Sequence, residues 1–133
     1  MATAEPVATN LHLLRRIRVL IVSRDRRFLG LARFLLTRDD LLVESTSKPG
    51  ELFERVQAGA DVVVLDGSGS IASAARAAAE IEALYPGVGL VVVADDARPT
   101  RSAFRLLPKW GSLANLGEEI RRAYLRPNQR ERQ

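Results

Sequence analysis

Short apolar runs alternate along this chain with longer segments in which apolar residues recur every three or four positions. Short, continuous apolar runs are typical of strands that are buried on both faces of a sheet. The pattern predicts strands over 17–22, 41–45, 61–66, 88–94 and 103–107. Between them, the helical periodicity predicts helices over 26–37, 51–57, 71–84 and 112–126, with a short helical lead over 11–16.

The first long helix has the clearest local signals. Asp25 is a candidate N-cap because its carboxylate can accept a hydrogen bond from an amide of the first turn. The predicted buried stripe that follows consists of Phe28, Leu31, Leu35 and Leu36, with Ala32 alongside. A helix with one apolar stripe of this kind packs that stripe against a sheet.

The regular alternation of strands and helices predicts an α/β fold with a parallel sheet covered on both faces. Five strands in a chain of this length favour a flavodoxin-like doubly wound five-stranded sheet, in the order 2-1-3-4-5. The predicted organisation is a flexible lead over 1–16, one domain over 17–126 and a polar tail over 127–133.

Composition excludes several kinds of site. The 133 residues include no cysteine, so disulfides and thiolate metal sites are excluded, and His12 is the only histidine. A metal site built on several histidines is therefore excluded too. The sequence has no apolar run of the roughly 20 residues that a membrane-spanning helix needs, and no signal peptide is recognisable. We therefore expect a cytoplasmic location and no membrane contact.

The net charge of +4 comes from clustered basic residues. The clusters are Arg15, Arg16 and Arg18, then Arg24, Arg26 and Arg27, and finally the segment from Arg121 to Arg132. Such clusters form either a solvated face or a surface for an acidic partner or a nucleic acid. No familiar nucleic-acid motif accompanies them, which disfavours nucleic acid as the partner.

Two charged residues follow apolar runs and are the strongest candidates for a site. Asp66 ends the third predicted strand, and Lys109 follows the fifth in the segment Leu107-Pro108-Lys109. Open α/β sheets place their sites at the carboxyl ends of the strands. The sequence therefore predicts that Asp66 and Lys109 meet at that edge of the sheet.

With these blocks in place, the chain resembles the receiver domain of two-component response regulators over residues 17–126. The resemblance is carried by VLIV at 19–22, DVVVLD at 61–66 and LPK at 107–109, in that order and spacing. It implies that Asp66 corresponds to the phosphoacceptor, that Lys109 contacts the phosphoryl group, and that a histidine kinase is one candidate partner. In the family, an acidic pair after the first strand binds magnesium, and magnesium with lysine offsets the repulsion between carboxylate and phosphoryl group.

The sequence departs from that family pattern in several places. Ser23 and Arg24 replace the acidic pair, and Ala94 stands where a switch Ser or Thr is expected. Trp110 stands where the family usually has proline. Only fifteen positions separate Ala94 from Lys109, which is too short for a full helix with its loops. We therefore expect the fourth helix of the receiver fold to be shortened or lost.

These departures suggest how the site is altered. One hypothesis places the Arg24 guanidinium beside Asp66, where it would replace the magnesium charge and lower the pKa of Asp66. Asp25 is a weaker candidate metal ligand, because capping is its expected use. Magnesium could bind only if Asp25, Asp95 or Asp96 rebuilt the site. No other cofactor is expected.

The resulting functional prediction is an atypical receiver or pseudo-receiver that signals through protein–protein interaction, with a protein partner or as a homodimer, and has no enzymatic activity. Trp110 is either a core residue or a partner-binding anchor. The first alternative is a stand-alone response regulator phosphorylated on Asp66 in a phosphorelay. The others are a basic nucleic-acid-binding module and a small-ligand binder that uses the loop Gly67-Ser68-Gly69-Ser70.

Overall fold

The protein is described by a computed structural model, which covers residues 16–95 and 105–132. Its core is a parallel five-stranded sheet in the order 2-1-3-4-5, so the predicted fold class is confirmed. The strands are β1 Arg18–Val22, β2 Leu42–Thr46, β3 Val62–Asp66, β4 Gly89–Ala94 and β5 Arg105–Pro108. The described helices are α1 Arg26–Arg38, α2 Leu52–Gln57, α3 Ile71–Leu84 and α4 Leu116–Arg132, and short 3-10 helices at Pro49–Glu51 and Leu113–Asn115 precede α2 and α4.

Side chains of successive strand residues point to opposite faces of the sheet and form two separate cores. On one face, Val19, Ile21 and Val64 pack with residues of α1 and α4, of which Phe28 and Ile120 are fully buried. The other core is formed by β1, β3 and β4 with α2 and α3; its members include Leu20, Val63, Val92, Leu52 and Ile81. The sheet is thus packed between two helical layers, and the carboxyl ends of its strands lie together at one edge.

The prediction for α1 was right in extent and wrong for one core residue. Phe28, Ala32 and Leu36 are buried, and Leu35 is half-buried, whereas Leu31 is exposed. The reason is that each helical residue advances about 100°, which places Leu31 well away from the line of i, i+4 residues facing the sheet. An apolar residue of this helix therefore faces outward.

Other expectations concern the last helix, the connection between β4 and β5, the N-terminal lead and membrane-spanning segments. The last helix begins at Leu116 and continues beyond the predicted end near residue 126, through Pro127 to Arg132. Ten residues connect Ala94 to Arg105, but the predicted loss of a helix there falls on residues 96–104, outside the described residues. The predicted flexible lead falls mainly on residues 1–15, also outside them. Among the described helices, none combines the length and apolar composition that a bilayer-spanning segment requires.

Gly89 and Gly30 give a matched pair of stability predictions. A Cβ on Gly89 would lie 2.6 Å from the Ala123 carbonyl oxygen, a backbone atom of α4, whereas a Cβ on Gly30 would meet nothing within 4 Å. We expect Gly89→Ala to lower the free energy of unfolding by about 1–3 kcal/mol because helix and strand must separate. Gly30→Ala should raise it by about 1 kcal/mol, since alanine is the better helix former. Urea unfolding measures both; equal stability of Gly89→Ala and wild type would contradict the packing described.

Candidate functional site

The site lies at the carboxyl edge of the sheet and is centred on the ammonium group of Lys109. Lys109 follows β5, Asp66 is the last residue of β3, and Asp25 precedes α1. The Nζ atom of Lys109 lies 2.9 Å from Oδ2 of Asp66 and 2.8 Å from Oδ2 of Asp25. Only 3% of the Lys109 side chain and 6% of the Asp66 side chain are exposed. The predicted meeting of Asp66 and Lys109 is therefore found, and Asp25 joins it.

Ser23 completes the polar network around Asp66. Its hydroxyl donates a hydrogen bond of 2.6 Å to Oδ2 of Asp66 and accepts one of 3.0 Å from the Asp25 amide. The other carboxylate oxygen of Asp66 accepts a 2.9 Å bond from the Ser68 amide. Both oxygens of Asp66 are thus engaged by donors from neighbouring loops. The residue that replaces one member of the expected acidic pair serves here as a hydrogen-bond donor.

Asp25 acts twice in this network. Its Oδ1 accepts a 3.1 Å bond from the Phe28 amide, which confirms it as the N-cap of α1, while its Oδ2 pairs with Lys109. The sequence indicated the cap and missed the ion pair. The available signal was topological, because residues that follow β1 and β5 meet at the same edge of a parallel sheet.

The Arg24 hypothesis does not hold. Arg24 is exposed, and within the described residues it forms no ion pair with Asp66. Consecutive residues at the end of a strand point in opposite directions, and here the buried side chain is that of Ser23. The positive charge beside Asp66 therefore comes from Lys109 alone among these neighbours.

The electrostatics follow from this geometry. Burial raises the pKa of Asp66, but hydrogen bonds from Ser23, the Ser68 amide and Lys109 outweigh burial and hold that pKa below its ordinary value. The bond from Lys109 and the capped Phe28 amide lower the pKa of Asp25. Burial lowers the pKa of Lys109, yet its two carboxylate partners more than offset this and raise it. All three groups are therefore charged at neutral pH.

Two aromatic rings border the ammonium group. Its Nζ lies 5.3 Å from the ring centroid of Phe28 and 5.4 Å from that of Trp110, within the range of cation–π attraction. The two rings meet edge to face, with centroids 5.7 Å apart. Trp110 contacts the buried Phe28 ring and remains 42% exposed, so it combines a packing contact with an accessible surface.

The remaining predicted site residues lie nearby. Ala94 is buried at the end of β4, and its carbonyl accepts a 3.0 Å bond from the Lys109 amide, so its backbone, without a hydroxyl, supports the lysine. The Asp95 amide donates a 3.3 Å bond to the Ser68 hydroxyl. Asp96 lies outside the described residues.

The donor set does not fit the magnesium ion that the receiver resemblance implies. The described residues contain no group of three or more carboxylate or imidazole side chains arranged to hold a metal. The two carboxylates that are close together, Asp25 and Asp66, share the Lys109 ammonium, and Ser23 offers only a neutral hydroxyl. A hard divalent cation prefers several anionic oxygens, and this arrangement supplies fewer than that ion needs.

A cavity of about 700 Å³ opens beside the network. Its lining is mixed: apolar residues of α2 and α3 form one part, and Ser68, Ser70 and Ser73 contribute hydroxyls. The Gly-Ser loop singled out in the sequence thus borders the cavity. Ser70 itself caps α3 by accepting a bond from the Ser73 amide, so its capping role is structural.

Removing the ammonium should reveal the coupling in this network. Because the pKa values of Asp25 and Asp66 are lowered from 3.8, their ion pairs stabilise the fold above about pH 3.8 and lose effect as pH falls through the lower folded values. The raised pKa of Lys109 adds stability that is lost only above about pH 10.5. We expect Lys109→Met to cost about 3 kcal/mol near neutral pH, since it leaves a buried carboxylate unpaired, and to raise the pKa of Asp66.

A carbon-13 NMR titration of the aspartate carboxyls measures that pKa directly, and urea unfolding at several pH values measures the stability. Arg76→Met, a change on exposed α3 surface, is the matched control. An unchanged Asp66 pKa in Lys109→Met would show that the ammonium does not control the carboxylate.

By sequence, neither a protein family nor any curated protein matches the chain. Solved structures do. A response regulator receiver domain protein of Clostridium thermocellum superposes with a TM-score of 0.70 at 22% identity, over 85% of this chain and 98% of that one. An atypical orphan response regulator matches with a TM-score of 0.68 at 16% identity, over 81% and 95% of the two chains.

A third match is a protein of Burkholderia pseudomallei described as related to pilus assembly, with a TM-score of 0.63 at 24% identity, over 81% of this chain and 89% of that one. At such identities the likeness concerns the fold. Together with the sheet order and the placement of Asp66 and Lys109 at one edge, these matches show that the chain has the fold of response-regulator receiver domains.

Proposed function

We propose that this protein is an atypical receiver-like signalling domain. It acts through protein–protein interaction, without magnesium-dependent phosphorylation. The observation that carries the proposal is the position of the Lys109 ammonium, which pairs with Asp66 and Asp25 at once. The fold supports the receiver part of the proposal, and the altered site supports the atypical part. A fold alone does not define activity, so the site decides.

Phosphorylation of a carboxylate requires an oxygen lone pair that can attack the phosphoryl group, and cations that offset the repulsion between two anions. In Asp66, one oxygen is bonded to Ser23 and Lys109, and the other to the Ser68 amide. An attack would have to break part of this network, and no acidic pair is available after β1 to bring magnesium in compensation. The network therefore favours a single resting state in which Asp66 is not modified.

The partner in this proposal is another protein or a second copy of the chain, with a histidine kinase as one candidate. One of the structurally similar proteins, the atypical orphan response regulator, has a phosphorylation-independent regulatory mechanism. It supports the proposal by analogy of fold. The chain would have no catalytic activity of its own, and the expected cytoplasmic location remains part of the same prediction.

Intact mass after incubation with acetyl phosphate and Mg²⁺ tests the proposal. We expect no phosphoryl adduct on the wild type, because Ser23, Lys109 and the Ser68 amide already engage Asp66 and the acidic pair is absent. The double variant Ser23→Asp, Arg24→Asp restores two carboxylates at positions that border the same cavity as Asp66, and it removes one donor to Asp66, so it should gain Mg²⁺ binding and a measurable adduct.

A typical receiver domain treated in parallel shows that the phosphodonor is active. A one-phosphoryl adduct on the wild type that disappears in Asp66→Asn would refute the proposal and support the alternative, a stand-alone response regulator phosphorylated on Asp66.

A further inference from the structure

One outward face of α1 joins apolar and aromatic side chains to arginines. Arg27, Leu31, Phe34 and Arg38 are spaced i, i+4, i+7 and i+11, which places all four on one side of the helix. Phe34 is 62% exposed, and Leu31 is exposed beside it. Trp110 extends the surface at the N-terminal end of α1, where Arg27 lies over its ring. We call these five residues the α1 face.

Each aromatic ring of the α1 face is covered by an arginine. The guanidinium carbon of Arg27 lies 5.9 Å from the Trp110 centroid, and that of Arg38 lies 5.8 Å from the Phe34 centroid. Both distances are within the range of cation–π attraction, so each end of the surface presents a ring and a cation together. Arginine and aromatic residues, phenylalanine included, are enriched at protein interfaces, and tryptophan and arginine are among the types that contribute most to binding energy.

The charge of this helix has one sign. The sequence of α1, RRFLGLARFLLTR, contains four arginines and no acidic residue. Single exposed apolar residues are ordinary on protein surfaces, but here two large ones lie between arginines on the same face. Such a surface complements a segment that carries both acidic and apolar side chains.

Gly30 borders the α1 face and is not required by the fold. It stands i+3 from Arg27 and i−4 from Phe34, and a Cβ added there would meet nothing within 4 Å. Glycine inside an exposed helix lowers stability relative to alanine, and no packing contact in this structure compensates for that cost. What glycine provides at this position is a low point on the surface, where another chain can approach the helix closely.

From the exposed rings beside arginines, the single-sign charge and the low point at Gly30, we propose that the α1 face binds an acidic amphipathic segment of a partner protein. Its apolar side chains would contact Leu31, Phe34 and Trp110, and its carboxylates would pair with Arg27 and Arg38. This inference rests on the proposed function, because it specifies which kind of protein segment a domain that acts through protein–protein interaction would bind. A second copy presenting the same face would bring arginines against arginines, and a nucleic acid would leave Leu31 and Phe34 without apolar contacts.

Trp110 provides a direct signal for such binding because it is the only tryptophan in the chain. The probe is a tryptophan-free helical peptide of about 18 residues, or five turns, with leucines along one stripe and glutamates elsewhere. A counterpart with lysines in place of the glutamates is the charge control, and a short DNA duplex is the nucleic-acid control. We expect the acidic peptide to shift the Trp110 emission and to bind about tenfold or more tightly than the lysine peptide, with an affinity that falls as salt rises.

The variants separate this face from the rest of the surface. Phe34→Ala, and separately the double variant Arg27→Glu, Arg38→Glu, should each weaken binding about tenfold. Gly30→Gln should weaken it while leaving the melting temperature unchanged or higher, which distinguishes a lost contact from lost folding. Leu84→Ala removes an equally exposed apolar residue from α3, on the other side of the sheet, and should bind as the wild type does.

Equal affinity for the acidic and lysine peptides, an unchanged Trp110 emission, or equal losses in Phe34→Ala and Leu84→Ala would each overturn the proposal. DNA binding that is tighter than peptide binding and insensitive to Phe34→Ala would assign the face to nucleic acid instead. The proposed function fails by a different observation, a phosphoryl adduct on Asp66, so the two failures are distinguishable.

Discussion

The candidate site depends on the need to balance a positive charge that the fold buries. Lys109 follows β5 directly, and its side chain is almost fully enclosed. A buried ammonium without partners would lose its proton or destabilise the fold, so its environment must supply anions. Asp66 and Asp25 supply them, and two aromatic rings complete the enclosure. The same contacts tie the end of β5 to the end of β3 and to the start of α1.

The replacement of an acidic residue by Ser23 fits this balance. Asp25 and Asp66 already supply two carboxylates to one ammonium, which leaves one net negative charge, and a third carboxylate would increase that excess at a buried edge. The Ser23 hydroxyl instead donates to Asp66 and accepts from the Asp25 amide, so it links the two carboxylate-bearing loops without adding charge. The charged groups of the site are thereby bonded to one another, so the surfaces around Asp66 are better candidates for partner binding than the Asp66 carboxylate itself.

The sequence predicted the sheet, its order and the pairing of Asp66 with Lys109, because burial on both faces and topology determine them. It did not predict the hydrogen bonds of Ser23, the ion pair of Asp25 with Lys109 or the exposure of Leu31. Those depend on which way a side chain points where a strand ends, and on the rotation of α1 about its axis. A periodicity of three to four residues defines a helix but leaves its rotation undetermined by tens of degrees. The predicted contact between Arg24 and Asp66 was wrong for the same reason, since the Arg24 side chain is exposed.

The most direct test of a locked, metal-independent site is the backbone amide NMR spectrum of the protein during titration with Mg²⁺ and then beryllofluoride, a phosphoryl analogue. A site held by Lys109, Ser23 and the Ser68 amide predicts that the resonances of residues around Asp66, Asp25 and Lys109 stay in place at millimolar concentrations of both. Saturable shifts of those resonances, spreading to Ala94 and β5, would show that the site accepts the metal and the analogue, and would contradict the locked state.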